Sequence, residues 1–393
     1  MQLLLIDKQE FDLRISKVRQ AMAAEGLQSM LVSDNANLFY LTGRVFRGYI
    51  YIAPMVGEAI FVRRPTLLQG EIVHTIHKPE NILDKIGEIG LNMPDKLGLE
   101  LNEEPYSTVA RLAKAMNVST FGNADNALMA ARMVKTETEI DLIRQCAVRH
   151  DRVYRRIPHL YEEGMTDLEL MVAIEREARL EGSIGILRTC GHELEINMGS
   201  VLTGDNADTP SPYDFAMGGA GTSPALPMGA DGSEIKPGMP VMIDMNGCFN
   251  GYMTDMTRVY AQGPVPETAL RAHRLSMEIC RELAAMGRPG TPCADLYNRA
   301  VEIAQAAGFG QNLMGHASQA GFVGHGVGIC VNELPVFAPR SRHTLTEGNV
   351  IALEPKFVLP GIGAVGIENT YVVTADGMKC LTDTTEEIIN LDV

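Results

Sequence analysis

The stretch VMIDMNGCFNGYMTDMTRVY, residues 241–260, carries the clearest fold signal in the chain. Apolar residues alternate with others up to Asn250-Gly251 and continue beyond it, which predicts a β-hairpin with a two-residue type I′ turn. In that register Asp244 lies opposite Thr257, and Asp255 lies diagonally across from Asp244 on the same face. The two carboxylates are then within reach of one small ion.

Two carboxylates that converge inside an apolar hairpin repel each other and lose hydration. A cation or a shared proton normally relieves that cost. A single Asp in such a strand is more often a loop cap or a solvated residue, because a buried Asp is rare. The pairing of Asp244 with Asp255 is what favours a cation site.

A second carboxylate pair occurs in NVIALEPKFVLPGIGAVGIENTYVV, residues 349–373. The pattern predicts two strands joined at Pro360-Gly361. If the loop is centred on Gly361, Glu354 lies directly opposite Glu368, whereas a slip of one residue would separate them. Like charges in opposed positions destabilise a sheet unless something positive lies between them.

One imidazole accompanies the four carboxylates. His325 lies between glycines in GFVGHGVGICVNELP, residues 321–335, and glycines let the backbone approach whatever the ring contacts. A lone buried His is more often a core residue. Four oxygen ligands with one nitrogen, however, suit a pair of divalent ions such as Mn, Co, Fe or Zn better than one tetrahedral zinc. Paired ions can hold a bridging hydroxide and polarise a carbonyl, so the pattern predicts hydrolysis.

Composition and charge restrict the class of partner. The 393 residues are 46% hydrophobic and 21% charged, which is typical of globular domains. A net charge of -15 argues against nucleic acid or an anionic membrane as the main partner. No apolar run is long enough to cross a bilayer, and we expect no secretory signal at the start. The seven cysteines lack CxxC spacing, so we expect reduced thiols and a cytoplasmic location.

The chain divides into two predicted domains. Strands alternate with helices up to about residue 126, as in a layered α/β domain, and Thr136-x-x-Glu139 then forms a capping box that opens a long helix. We therefore predict domains at 1–132 and 133–393. Other predicted elements are a helix from Glu10 to Gly26, a helix opened by Thr166-x-x-Glu169, a long loop from Met198 to Gly238, a helix from Glu267 to Met286, and a helix with Pro292 at its first position.

At these residues the chain resembles the pita-bread metallopeptidases, the group that includes prolidase, aminopeptidase P, methionine aminopeptidase and creatinase. NLFYLTG, residues 37–43, is similar to part of the creatinase-type N-terminal domain, and ARMVKTETEIDLIRQ, residues 131–145, is similar to the start of the catalytic domain. The family's five metal ligands match, in order, Asp244 in VMIDMNG, Asp255 in YMTDMTR, His325 in GHGVG, Glu354 in ALEP and Glu368 in GIENT.

The resemblance implies the fold and the chemistry. The fold class would be α+β, with a creatinase-type N-terminal α/β domain followed by a C-terminal pita-bread catalytic domain. A hydroxide bridging two divalent ions, with manganese among the candidates, would attack the scissile carbonyl. Glu354 would be both a ligand and the group that passes a proton to the leaving nitrogen. Relatives of this kind are often dimers, so we expect a homodimer.

The substrate side departs from the family pattern. Met228 in ALPMG stands where proline-directed members carry a His, Asn332 in VNE stands where they carry a second His, and Gly366 stands where many carry an Arg. These three positions are the predicted substrate-binding residues. Asn332 is also a candidate catalytic residue beside Glu354 and His325, since it can donate a hydrogen bond to an oxyanion, although it cannot act as an acid.

Three functions remain open from the sequence. The first is an Xaa-Pro aminopeptidase or dipeptidase that cleaves short peptides. The second is an enzyme of another class on the same fold that cleaves a C–N or C–S bond in a small metabolite, which the three changed positions motivate. The third is a catalytically silent binding protein, although such a protein has no need of five intact ligands.

Overall fold

The fold is described from a computed structural model that covers residues 1–55, 57–91, 96–192, 194–214 and 217–392. The chain divides into two compact units between Arg132 and Met133. No helix among the residues described is long and apolar enough to cross a membrane.

The first unit is a mixed sheet with helices. Its strands are β1 (Ser29–Val32), β2 (Arg47–Ile52), β3 (Glu58–Arg64), β4 (Val73–Thr75), β5 (Lys96–Leu99) and β6 (Thr120–Asn123), in the order β4-β3-β2-β1-β5-β6. Its helices are α1 (Lys8–Ala24), α2 (Asn35–Thr42), α3 (Ile82–Glu88), α4 (Tyr106–Ala115) and α5 (Asp125–Met133), whose last residue already belongs to the second unit. The layered α/β domain predicted from the sequence is confirmed.

The second unit combines long helices with antiparallel ribbons. Its helices are α6 (Glu137–Arg156), α7 (Asp167–Leu180), α8 (Glu267–Met286) and α9 (Cys293–Ala306). One sheet has the order β17-β9-β8-β7, formed by β7 (Gly199–Thr203), β8 (Pro240–Cys248), β9 (Met253–Ala261) and β17 (Ile389–Asn390). A second has the order β11-β10-β12-β15-β16, formed by β10 (Gly324–Gly326), β11 (Glu333–Val336), β12 (Val350–Leu353), β15 (Asn369–Thr374) and β16 (Gly377–Cys380). A separate ribbon pairs β13 (Phe357–Leu359) with β14 (Gly363–Val365).

The β8–β9 ribbon is buried on both faces because its two alternating sets of side chains meet different helices. Ile243 and Met256 belong to a core cluster that includes Tyr154 of α6. Met242 and Val259, on the opposite face, pack in a cluster that includes Ile279 of α8. The capping box at Thr136 and Glu139 starts α6 as predicted, and a second box at Thr166 and Glu169 starts α7.

The register predicted for the first hairpin is confirmed. Asp244 pairs with Thr257, and Asn246 pairs with Asp255. The predicted type I′ turn is wrong, since that turn needs a positive φ at both central residues and only Gly251, at 96°, has one. Asn250 instead accepts a hydrogen bond from the Tyr252 N–H at 3.1 Å, which is an Asx turn.

The second hairpin also keeps its predicted register. Leu353 pairs with Asn369 on one side of the carboxylates and Phe357 pairs with Val365 on the other. Both pairs are centred on Gly361, so the continuation of the register places Glu354 opposite Glu368.

Two predicted elements need correction. The segment from Met198 to Gly238 is not a loop throughout, because β7 pairs with β8 along its length and Gly204–Asp208 forms a 3₁₀ turn. Pro292 is the residue that precedes α9 rather than its first helical residue. The shift by one position changes nothing in its role, since a helix needs no backbone N–H donor at either place and proline has none.

Candidate metal centre

Paired backbone groups of the two hairpins join the strand of Asp255 to the strand of Glu368. The Thr257 N–H donates to the Glu368 carbonyl at 3.3 Å, and the Glu368 N–H donates to the Thr257 carbonyl at 3.2 Å. The Thr370 hydroxyl accepts from the Asp255 N–H and donates to the Asp255 carbonyl, both at 2.9 Å. This junction places carboxylates that are distant in sequence on one buried surface.

His325 reaches the same surface through β10. It pairs with Ala352 of β12, and the Glu354 N–H donates to the Val323 carbonyl at 3.0 Å, so the imidazole lies beside the next residues of that strand. The His325 Nε2 atom is 3.1 Å from Glu354 Oε1. The other ring nitrogen, Nδ1, lies 3.2 Å from the Gly326 carbonyl, which suits a Nδ1–H donor and leaves Nε2 to act as a ligand.

All five residues predicted from the sequence as metal ligands converge in two overlapping groups. Asp255, His325 and Glu368 form one group, and Asp244, Glu354 and Glu368 form the other. Within each group the candidate ligand atoms lie within 4.8 Å of one another. Glu368 belongs to both groups, which is the position expected of a carboxylate between two cations.

Lys356 supplies the positive charge that the opposed Glu354 and Glu368 require. Its side chain is inaccessible to solvent, and Nζ donates to Asp244 Oδ2 at 2.7 Å, to Glu354 Oε2 at 2.7 Å and to Glu368 Oε2 at 2.8 Å. Its three partners are the members of the second group. Although burial disfavours the ammonium form, the three carboxylates raise the pKa of Lys356 well above its ordinary value.

The cluster carries more negative charge than Lys356 can balance. Burial and the nearby Asp244 carboxylate raise the pKa of Asp255 to about 7. Burial and the Asp255 carboxylate likewise raise the pKa of Glu368. Glu354 differs: burial opposes its charge, but Lys356 and His325 outweigh burial and lower its pKa to about 2. Asp255 and Glu368 are therefore the carboxylates whose ionised form lacks sufficient compensation by a cation.

The two oxygens of Glu368 have different surroundings. Oε2 accepts from Lys356 and from the Thr257 hydroxyl, the latter at 2.8 Å. Oε1 is buried, and no hydrogen-bond donor among the described residues reaches it. Glu368 also offers a carboxylate oxygen within 4.8 Å of ligand atoms from Asp255 and His325. A buried carboxylate oxygen without a donor, on a residue of such a group, fits a divalent cation. The residues present thus fit at least one divalent metal ion.

Arg258 holds the backbone of Glu368 and of the neighbouring strands in place. Its guanidinium is buried and donates to the carbonyls of Glu368 and Thr257, both at 2.8 Å, to the carbonyl of Thr384, and to Asn369 Oδ1 at 2.7 Å. A planar fork of donors is well suited to hold several strands at once.

The three substrate-side positions lie in different surroundings. Met228 is buried. The Asn332 side chain pairs with the backbone of Cys190, accepting from its N–H at 2.7 Å and donating to its carbonyl at 3.3 Å. Gly366 has a φ of 138°, and a Cβ there would lie 2.9 Å from the Lys356 Cα. Gly366 therefore allows close approach of the backbone to Lys356 and presents no side chain to a substrate.

Sequence reasoning missed Lys356, Thr257 and Arg258. The signal for Lys356 was present, because a charged residue in an apolar run two positions after Glu354 points to the same side of an extended segment. Thr257 was placed opposite Asp244 in the predicted register, and its hydroxyl is aimed at Glu368. Arg258 carried no local signal, since its partners other than the adjacent Thr257 carbonyl come from distant parts of the chain.

Known protein families match both units. The model of metallopeptidase family M24 matches residues 141–375, and the model of the creatinase/prolidase N-terminal domain matches residues 14–134. The first of these covers more than half of the chain. The chain belongs to metallopeptidase family M24.

Full-length relatives of this M24 chain include peptidases. An Xaa-Pro dipeptidase of Pyrococcus horikoshii is 26% identical over 381 residues, which cover 96% of this chain and 98% of the relative. In structure, a prolidase from the same organism matches with a TM-score of 0.76 at 23% identity, over 96% of this chain and 99% of that one. An Xaa-Pro dipeptidase from Bacillus anthracis matches with a TM-score of 0.79 at 20% identity, over 97% and 99% of the two chains.

These matches confirm the α+β architecture of the M24 protein, with a creatinase-type N-terminal domain before the metallopeptidase domain. The protein is an enzyme of a family that depends on divalent metal ions. The third function left open by the sequence, a silent binding protein, loses its support.

Proposed function

We propose that the protein is a metal-dependent Xaa-Pro peptidase that hydrolyses short peptides. The observation that carries this proposal is the convergence of Asp244, Asp255, His325, Glu354 and Glu368 on one buried surface, with the orphaned Glu368 Oε1 among them. The Xaa-Pro dipeptidase of Pyrococcus horikoshii, which aligns with nearly the whole chain, supports the choice of substrate.

The proposed ligands differ in whether Lys356 contacts them. Asp255 and His325, which Lys356 does not contact, form one group with Glu368, and these are the residues that would hold a divalent ion such as Mn, Co, Fe or Zn. The ion would polarise the scissile carbonyl and lower the pKa of the attacking water. The sequence predicts two ions, and the second position would be that of Asp244 and Glu354, where the Lys356 ammonium lies.

Glu354 is the proposed proton carrier. The Glu354 carboxylate, a member of the candidate ligand set, would accept a proton from the attacking water and pass it to the leaving nitrogen. Lys356 Nζ donates to Glu354 Oε2 at 2.7 Å and orients this carboxylate, and His325 Nε2 lies 3.1 Å from its other oxygen. Proposed catalytic residues are therefore Glu354 and His325.

Asn332 is the third proposed catalytic residue. One N–H of its amide is used at the Cys190 carbonyl, and because a carboxamide has two, the second can donate to a developing oxyanion. The pairing with Cys190 would hold the amide in place during that step. Met228 and Gly366 are proposed to border the substrate without donating hydrogen bonds through their side chains.

A second candidate function is cleavage of a C–N or C–S bond in a small metabolite. The observation that favours it is the chemistry of the substrate side, where Met228 and Gly366 offer no charged or hydrogen-bonding side chain to a peptide terminus. The two functions share the same cluster and differ in the substrate and in the bond that is cleaved.

A peptide panel separates the two candidates. The protein, loaded with Mn, Co, Fe or Zn in turn, is given Xaa-Pro dipeptides and Xaa-Pro-Yaa tripeptides, with the matching Xaa-Ala peptides as controls. We expect Xaa-Pro bonds to be cleaved with a kcat/KM at least about 10-fold above that of the Xaa-Ala controls, a preference of the size that one substrate side chain supplies. No cleavage of any peptide by metal-loaded protein contradicts the proposal and favours the second candidate.

Thr257 offers a test of how Glu368 is positioned. Replacing Thr257 with Val keeps the shape of the side chain but removes the hydroxyl that donates to Glu368 Oε2. We expect the dissociation constant for the metal ion to rise by about 10–100-fold, as is typical when a group that orients a ligand is removed. Equilibrium dialysis measures it.

The matched control for this change is Thr203→Val. Thr203 is a buried threonine of the same sheet whose hydroxyl donates to the Pro240 carbonyl rather than to a carboxylate of the cluster. Equal metal affinity in wild type and Thr257→Val would show that the Thr257 hydroxyl does not position Glu368.

The homodimer, the cytoplasmic location and the assignment of 133–393 as the catalytic domain stay predictions.

A further inference from the structure

Lys356 lies at one of the two cation positions that the ligand set offers. The three hydrogen bonds of its ammonium go to Asp244, Glu354 and Glu368, which are all the members of one candidate metal group. Asp255 and His325, which complete the other group with Glu368, receive none of these bonds. The ammonium of Lys356 thus lies among the members of one group, whereas Asp255 and His325 of the other group do not contact it. Glu368, which belongs to both groups, keeps one buried oxygen, Oε1, without a donor.

The geometry of the group around Lys356 suits an ammonium and excludes a metal ion at the same point. An ammonium has three N–H donors, and Lys356 has three carboxylate acceptors at 2.7–2.8 Å, the length of charge-assisted hydrogen bonds. A first-row divalent ion needs carboxylate oxygens at about 2.0–2.2 Å. The same three oxygens cannot converge on both cations.

The backbone of Lys356 is held from two sides. Its carbonyl accepts from the Met314 N–H at 2.7 Å. On the other side Gly366 lies so close that a Cβ there would be 2.9 Å from the Lys356 Cα and 3.1 Å from Ser276 Oγ. Gly366 is therefore the residue that allows the two backbone segments to lie this close together. Because the side chain is inaccessible to solvent, the ammonium cannot leave its three acceptors for water.

We propose that the Lys356 ammonium permanently takes the place of one of the two divalent ions, so that the centre binds a single ion at Asp255, His325 and Glu368. Lys356 is then a positioning residue: it holds Asp244, Glu354 and Glu368 in place and supplies a fixed positive charge. The inference rests on the proposed function only in needing a divalent ion at the remaining position.

Metal stoichiometry tests this inference. Wild type and Lys356→Met are dialysed against Mn(II), and the bound metal is measured by elemental analysis. Methionine is unbranched, flexible and uncharged, so it removes the ammonium with little change in volume. We expect about one equivalent per chain in wild type and about two in Lys356→Met, the number that a two-metal site holds.

Lys135→Met is the matched control. Lys135 is also a buried lysine in contact with a carboxylate, Glu333 Oε2 at 3.0 Å, but it does not contact the cluster. We expect its metal content to equal that of wild type. Thermal unfolding in the presence of Mn(II) shows whether each variant is folded.

Electron paramagnetic resonance of the Mn(II)-loaded wild type gives a reading that needs no variant. An isolated ion gives a hyperfine-resolved spectrum, whereas two neighbouring ions give an exchange-coupled one. An exchange-coupled spectrum, two equivalents in wild type, no metal in wild type, or equal content in wild type and Lys356→Met overturns the inference.

The metal stoichiometry tests the role of Lys356 and the peptide panel tests the proposed function, so either can fail without the other. One ion in wild type and two in Lys356→Met, without cleavage of any peptide, leaves this inference standing and rejects the Xaa-Pro peptidase. Efficient cleavage of Xaa-Pro peptides by a protein that binds two ions rejects only the role given to Lys356.

Discussion

Replacing Asp255 with Asn should lower kcat/KM for an Xaa-Pro dipeptide by about 10³-fold or more, equivalent to at least about 4 kcal/mol of transition-state stabilisation. Asn keeps the size of the side chain and removes its charge. Asp255 forms a candidate metal group with His325 and Glu368, and Lys356 does not contact Asp255, so the loss of its charge removes the cation from that group. The measurements are steady-state kinetics and metal content on the same preparation.

The same substitution at Asp151 is the control. Asp151 is a buried carboxylate of the same unit that accepts from the N–H groups of Asp383 and Thr384, and it belongs to neither candidate metal group. We expect Asp151→Asn to bind metal as wild type does, although it is less stable to unfolding. If Asp255→Asn retains both metal and activity, the ion is not held by Asp255.

Lys356→Met should be strongly destabilised in a chelator and recover when a divalent ion is added. Removing the ammonium leaves Asp244, Glu354 and Glu368 converging without the cation that they now bind. Breaking a buried ion pair by removing one partner costs about 3–5 kcal/mol, and here three carboxylates lose the same partner. The added ion would occupy the vacated position and restore stability, because it binds the folded state only.

Denaturant titrations with EDTA and with Mn(II) measure the effect. We expect the midpoint of Lys356→Met to fall well below that of wild type in EDTA, and to move toward it in Mn(II) by more than the wild-type midpoint moves. Equal midpoints for the two proteins in EDTA would show that the Lys356 contacts contribute nothing to stability.

Local pattern was sufficient to predict the hairpins. In residues 241–260 the alternation of apolar side chains and the Asn-Gly turn fixed the pairing of Asp244 with Thr257. The conformation of the turn was beyond prediction, because it depends on the side-chain oxygen of Asn250 bonding to Tyr252. The opposed position of Glu354 and Glu368 followed from a loop centred on Gly361 in the same way.

The features that the sequence did not predict depend on contacts between residues that are distant in the chain. β7 is a short strand that exists because it pairs with β8, about 40 residues later, and the glycines and prolines that follow it hid that pairing. The sequence did not predict that Lys356 is buried in the cluster, because a lysine is almost never fully buried unless it is paired. Its partner Asp244 lies on another hairpin, so only the fold shows that this lysine is the positive group that Glu354 and Glu368 require.

The central claim is that the peptidase works with one divalent ion beside the fixed Lys356 ammonium. A titration with metal, in which activity is measured after each addition, tests this claim most directly. Metal-free protein receives increasing Mn(II), and the release of proline from an Xaa-Pro dipeptide is recorded at each addition. We predict that activity rises linearly and stops rising at about one equivalent of metal per chain, in contrast to the two ions of a dinuclear centre. Activity that continues to rise to two equivalents, or that does not depend on metal, would contradict this description of the site.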